Sequence, residues 1–225
     1  MRSIRFVFFV AMSFATLSIS HAQRMMMMGG GGGGMSQGMV LFAFSQDGPS
    51  IRSDVSKELK LDDGQKGKLG EMQQKQMDEM MNAFQSGERP SQEQMQAMLK
   101  KRQEAEDKTL RTILNETQQK RLRELWIQRL GNGAVANPEL QKELGVTEAQ
   151  LTSIKTLMTK QQEANNSIRE KMMNGEIDRS EIRPLFEKNA KALNEELGKL
   201  LTTDQAAKLK AMGGAPFKFD ADNIG

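Results

Sequence analysis

From residue 53 onward, apolar residues recur three and four positions apart, with Glu, Gln and Lys between them. No stretch there alternates with period two, and only Pro90 and Pro138 fall between residues 53 and 140. That pattern predicts helices throughout. Caps and breakers place their ends. A short helix is expected over 53–60. A long one follows over 62–85, stopped by Ser86 and Gly87. A third, over 91–113, begins after Pro90, and a fourth, over 115–130, stops at Gly131. The order is then repeated, over 138–144, 147–173, 178–200 and 202–212. Pro184 marks a late start or a kink in the third of these.

Comparing the chain with itself explains the repeated order. Residues 57–65, KELKLDDGQ, align with residues 142–150, KELGVTEAQ, at an offset of 85; residues 114–118, LNETQ, align with 201–205, LTTDQ, at an offset of 87. Each half carries one short motif twice. An apolar residue (Leu61, Leu114, Val146, Leu201) precedes a helix cap (Asp62, Asn115, Thr147, Thr202), and a glutamine follows three places later (Gln65, Gln118, Gln150, Gln205). The pattern is a capping box, in which the cap side chain accepts from a first-turn amide while the glutamine reaches back to the cap's own N–H. One capping box is common, but four at matching places form an internal duplication.

The motif resembles that of the periplasmic LTxxQ (Spy/CpxP-like) family, with Leu201-Thr-Thr-Asp-Gln205 the fullest match. The resemblance covers about residues 53–213. It implies an all-α fold of two tandem Spy-like helical-hairpin repeats, each with three long helices and a short lead helix, related by a pseudo-two-fold axis. Repeat 1 is expected over 53–131 and repeat 2 over 132–213, joined at 131–137. Family members are small helical proteins that dimerise into a curved cradle. They act as ATP-independent chaperones, as inhibitors of envelope-stress signalling or as metal-responsive proteins. Here two units lie in one chain.

The start of the chain adds a compartment. Arg2 and Arg5 precede an apolar stretch over 6–19, and Ser20-His21-Ala22 offers a cleavage site, so residues 1–22 read as a signal peptide. The expected location is periplasmic or secreted. A mature chain carries a charge two lower than the +3 of the whole, and loses the one histidine of the sequence. With no Cys and no Tyr either, it lacks thiol nucleophiles, His-based triads and imidazole or thiolate metal sites. No cofactor, metal site or catalytic residue is expected, and the chain is not expected to be an enzyme. Residues 23–52 hold four consecutive methionines and six consecutive glycines, which predicts a disordered leader. Its clustered thioethers leave Cu(I) binding open. The short apolar run over 39–44 is expected to dock on the helical body. Residues 214–225 are expected to be disordered, apart from Phe217 or Phe219.

Met72, Met77, Met80, Met81, Met95 and Met98 flank the first hairpin. Thioethers fill irregular gaps in a core, and they also make an adaptable surface for varied clients; both roles are open, and these six are the candidate client-binding residues. Between Lys100 and Arg129 nine bases face five acids. This is either a solvated helix face or a patch for an anionic partner. Nucleic acid is excluded as a partner by the compartment and by the lack of stacking aromatics. No later segment is long enough to span a membrane. Trp126, among Leu122, Leu125 and Leu130, is expected to anchor packing. The resulting expectation is a protein that binds unfolded or envelope proteins without ATP, with a homo-oligomer left open. The alternatives are an envelope-stress or metal-responsive regulator, and a structural interaction protein of the envelope.

Overall fold

The computed structural model describes residues 36–45, 48–85 and 92–220. The chain is mostly helical. After a 3-10 turn η1 (Gln37–Leu41) and a two-stranded hairpin of β1 (Phe42–Ser45) and β2 (Gly48–Ile51) come eight helices among the described residues. These are α1 (Ser53–Glu58), α2 (Asp63–Gln85), α3 (Gln92–Ile113), α4 (Glu116–Leu130), α5 (Pro138–Leu144), α6 (Glu148–Met173), α7 (Arg179–Leu200) and α8 (Thr203–Met212). A second 3-10 turn, η2 (Gly131–Ala136), joins α4 to α5. The sequence order of a short helix, a long hairpin and a closing helix therefore occurs twice.

The helix starts follow from the caps. Asn115, Thr147 and Thr202 each accept from the backbone N–H of the glutamine three residues on, and each glutamine side chain accepts from the cap's N–H in return. Asp62 and Gln65 make the same exchange, at 2.7 and 3.2 Å. The stops are equally local. Gly145 takes a left-handed φ of 66° after α5, where its own N–H bonds Lys142 O and the next N–H bonds Gln141 O. The equivalent position after α1 is Lys60, at φ 52° and with the same pair of bonds to Lys57 O and Ser56 O. A side chain in that region costs about 1–2 kcal/mol, and glycine returns part of this as unfolded-state entropy. Lys60→Gly is therefore expected to stabilise the protein by about 0.5–1 kcal/mol in urea melts; a loss of stability would mean that the lysine side chain holds a contact of its own.

One hydrophobic core lies at the base, where both halves meet. Leu69, Leu122, Leu125, Leu140, Leu197, Val55 and Val135 are sealed in it, and Trp126 packs there with 2% of its surface exposed. The long helices extend beyond this base. At 1.5 Å per residue, the 26 residues of α6 span about 39 Å, but only Ile154, Leu157 and Met158, from its first half, join the core. The result is two helical arms, α2–α3 and α6–α7, rooted in a common body.

Two expectations are corrected. The leader expected to be disordered over 23–52 is structured from Ser36 on, apart from residues 46–47, which with 23–35 lie outside the described residues. Val40, Leu41 and Phe42 are sealed in the core, so the apolar run docks on the helical body, partly as a strand. The joint at 131–137 is built into the body, with Gly133, Ala134 and Val135 of η2 buried. The tail is ordered through Asp220: Phe217 and Phe219 pack against the core, and Gln128 binds Gly213 O, Ala215 O and Phe217 N. Residues 221–225 lie outside the described residues, as does the expected signal at 1–22. Pro184 lies inside α7, which starts after Asp178, the expected place.

Candidate functional site

The motif glutamines do more than cap. Gln65 and Gln118 face each other at the base of the first arm. Gln65 Nε2 donates to Gln118 Oε1 at 2.7 Å, and Gln118 Nε2 donates back to Gln65 Oε1 at 3.0 Å. Gln150 and Gln205 repeat this exchange at 2.7 and 3.2 Å. Each amide also binds a backbone carbonyl across the base: Gln65 to Ile113 O, Gln118 to Leu59 O, Gln150 to Leu200 O and Gln205 to Gly145 O. All eight motif residues are thus brought together in two knots that tie the helix starts to one another. The paired glutamine amides at the centre of each knot are uncharged and not nucleophilic; they position the arms.

The arms carry the candidate surface. Met72 is corrected from that list: it is 8% exposed and belongs to the shared core, one turn beyond Leu69 on the same buried side of α2. Met77 and Met98 are half-buried. The side chains of Met80, Met81 and Met95 lie outside the described residues. On the second arm the end of α6 exposes Met172 (37%) and Met173 (77%), the two large apolar side chains that stand exposed among the described residues. The sequence pattern does not single them out. Their signal is an apolar pair in the last turn of a helix, just before the Gly175 turn.

The basic segment is partly consumed by structure. Arg121 pairs with Glu58 and Glu124, Arg123 pairs with Glu143, and Arg129 is buried beneath Phe219, its guanidinium 4.8 Å from the ring centroid. Lys100, Lys101, Lys108, Arg111 and Lys120 remain exposed, so the outward charge is smaller and more scattered than the count suggests.

Glu106, also missed, lies on the apolar stripe of α3 four residues before Leu110, and such an acid within a stripe is itself a signal. It is 5% exposed, accepts from Ser36 Oγ at 2.7 Å and from Gln76 Nε2 at 3.3 Å, and rests against Gly38, where a side chain would collide with its carboxyl group. Burial pushes its pKa up, and the donated hydrogen bonds offset only part of that. Relative to the unfolded chain, the folded protein favours the protonated acid. This stabilisation is complete below the ordinary carboxylate range and is lost as pH rises through the folded value. Glu106→Gln keeps an uncharged group at the site. Its stability relative to wild type is expected to rise as the pH is raised from about 4; parallel stability–pH curves for the two proteins would contradict it.

Two open grooves accompany these features. One, about 370 Å³, lies between α4 and α8 beside Ile127, Gln128, Leu209 and Lys210; the other, about 440 Å³, runs along α6 beside Thr152, Lys155, Thr156 and Thr159. Neither holds a nucleophile paired with a base. Among the described residues no three His, Cys, Asp or Glu side chains are placed to hold a metal ion, and no helix is long and apolar enough to cross a membrane. Comparison with family models, with curated proteins and with solved structures finds no match for this chain.

Proposed function

We propose that this chain is an exported, non-enzymatic LTxxQ-type protein, built from two tandem Spy-like repeats about a pseudo-two-fold axis, that binds unfolded or envelope proteins without ATP. The duplication reading is supported by the repeated element order and by the two glutamine knots, which use equivalent residues in each half. One observation carries the functional reading: an arm that reaches past the common core and ends in exposed thioethers, Met172 and Met173. Such side chains repack against many shapes, which suits a binder of varied clients. On a surface otherwise rich in Lys, Glu and Gln, they offer an apolar partner a place to dock.

The test is suppression of client aggregation by the exported chain. An equimolar amount is expected to delay the aggregation of a reduced or chemically unfolded client, with no nucleotide added. Replacing Met172 and Met173 by serine removes about 1 kcal/mol of apolar contact at each and is expected to weaken client affinity about tenfold or more. If equimolar wild-type protein leaves the aggregation time of several clients unchanged, the reading fails.

A further inference from the structure

The second arm is not packed uniformly along its length. Near the body, Ile154, Leu157, Met158, Leu193 and Leu197 belong to the shared core. Farther out, Ile168, Phe186 and Ala190 form a separate small cluster, joined by half-buried Ile177, Ile182 and Leu185. A layer of amides lies where the two meet, with Ala190 at its inner edge and Ile168 and Phe186 beyond it. Asn165 on α6 is 3% exposed, and its Oδ1 accepts from Gln161 Nε2 at 3.4 Å and from Asn189 Nδ2, on α7, at 3.3 Å. Both contacts are at the long end of the hydrogen-bond range. A buried layer held this weakly does little to couple the clusters on either side of it.

Two further features weaken the outer part. Pro184 lies within α7 and has no N–H, so the carbonyl of Ser180 lacks its helical partner. The outer cluster is also small: three buried side chains, capped by the Arg169 guanidinium at 5.8 Å from the Phe186 ring. The first arm differs at the same level. Gln76, which matches Gln161 at the offset of 85, meets Glu106, and that pair is pinned by Ser36 of the N-terminal segment. No such strap is described on the second arm.

We propose that the outer part of the second arm, residues 166–188, opens as a cooperative unit bounded by the Asn165–Asn189 layer. Opening parts α6 from α7 at the tip and adds the faces of Ile168, Ile182, Leu185 and Phe186 to the exposed Met172 and Met173. The surface so formed fits an extended apolar segment of a non-native protein chain. This inference rests on the client-binding reading above and specifies how that site is regulated: the closed arm hides most of it.

Hydrogen exchange on the full chain, read by mass spectrometry, tests the opening. Amides of 166–188 are expected to exchange together, about tenfold or more faster than those of 150–160 and 193–200, with a step at the amide layer. The double substitution Asn165→Leu with Asn189→Leu replaces the layer by apolar contact, and is expected to slow the outer block about tenfold and to reduce client protection in proportion. Pro184→Ala restores the missing helical bond and provides an independent route to the same two effects. A smooth fraying gradient from the tip, with no step at the layer, overturns the proposal. So does a variant that slows exchange yet protects clients as well as wild type. A step in exchange without any client protection by the wild-type chain removes the client-binding reading and leaves the opening unit standing.

Discussion

Replacing Gln118 with alanine is expected to destabilise the protein by about 3 kcal/mol in a denaturant melt. The residue is 8% exposed, and its side chain makes four hydrogen bonds at once. Its Oε1 accepts from Asn115 N at 3.0 Å and from Gln65 Nε2 at 2.7 Å; its Nε2 donates to Leu59 O at 3.1 Å and to Gln65 Oε1 at 3.0 Å. A hydrogen bond exchanged with water is worth only about 1 kcal/mol net, but a buried group left without a partner costs about 1–3 kcal/mol. Alanine leaves Leu59 O and one side of the Gln65 amide unmatched in a place that water reaches poorly. Gln65→Ala is expected to cost less, because that residue is half-buried and water can replace part of what is lost. A double-mutant cycle over Gln65 and Gln118 should give a coupling of about 1 kcal/mol or more, as expected for residues in one network. Strict additivity, or a Gln118→Ala cost below about 1 kcal/mol, would mean that the motif caps each helix separately and does not tie them together.

That pairing separates what the sequence made legible from what it did not. Capping is local chemistry: a cap at Thr147 and a glutamine at Gln150 act within one turn, so the helix starts could be read residue by residue, and the Gly131 stop likewise. The pairing of Gln65 with Gln118 joins residues 53 apart, and no local rule predicts it. The same limit explains the N-terminal segment. Val40, Leu41 and Phe42 have too little structure of their own to resist disorder, and are ordered because the base of the helical body offers them a core. Gly133, Ala134 and Val135 have the small-residue composition of a linker and are buried because small residues fit where helices converge. Met72 and Met173 show the converse. Both are methionines on amphipathic helices, and only the distance from the shared base makes one a core residue and the other a surface one.

Ending the chain at Gly213 is expected to cost about 3 kcal/mol and to lower the melting temperature by roughly 6–12 °C, because the tail closes the body it leaves. Phe217 and Phe219 meet edge to face at 4.9 Å and pack against the core, and Phe219 lies between the guanidinium groups of Arg129, at 4.8 Å, and Arg52, at 5.8 Å. Arg52 holds Asp54 through two hydrogen bonds in an ion pair whose side chains are 4% and 7% exposed. The tail completes that pair: Asp220 N donates to Asp54 Oδ2 at 2.8 Å, and Arg52 Nη2 donates to Asp220 O at 3.0 Å. Truncation removes two half-buried aromatic side chains and uncovers an ion pair already partly desolvated, which is where the cost arises. The pH dependence carries a distinct signature. Burial raises the pKa of Asp54, but the hydrogen bonds from Arg52 and the Asp220 backbone, with the Arg52 charge, outweigh it and hold the carboxyl below its ordinary value. A carboxylate lowered in the folded state contributes stability above the ordinary pKa and loses it as pH falls through the folded one. The full chain should therefore hold its largest advantage over the truncated one near neutrality, and the gap should narrow as the solution is taken below about pH 4. A gap that stays constant on acidification would assign the tail's contribution to the phenylalanines alone; no gap at any pH would mean that residues 214–220 only lie on the body without closing it.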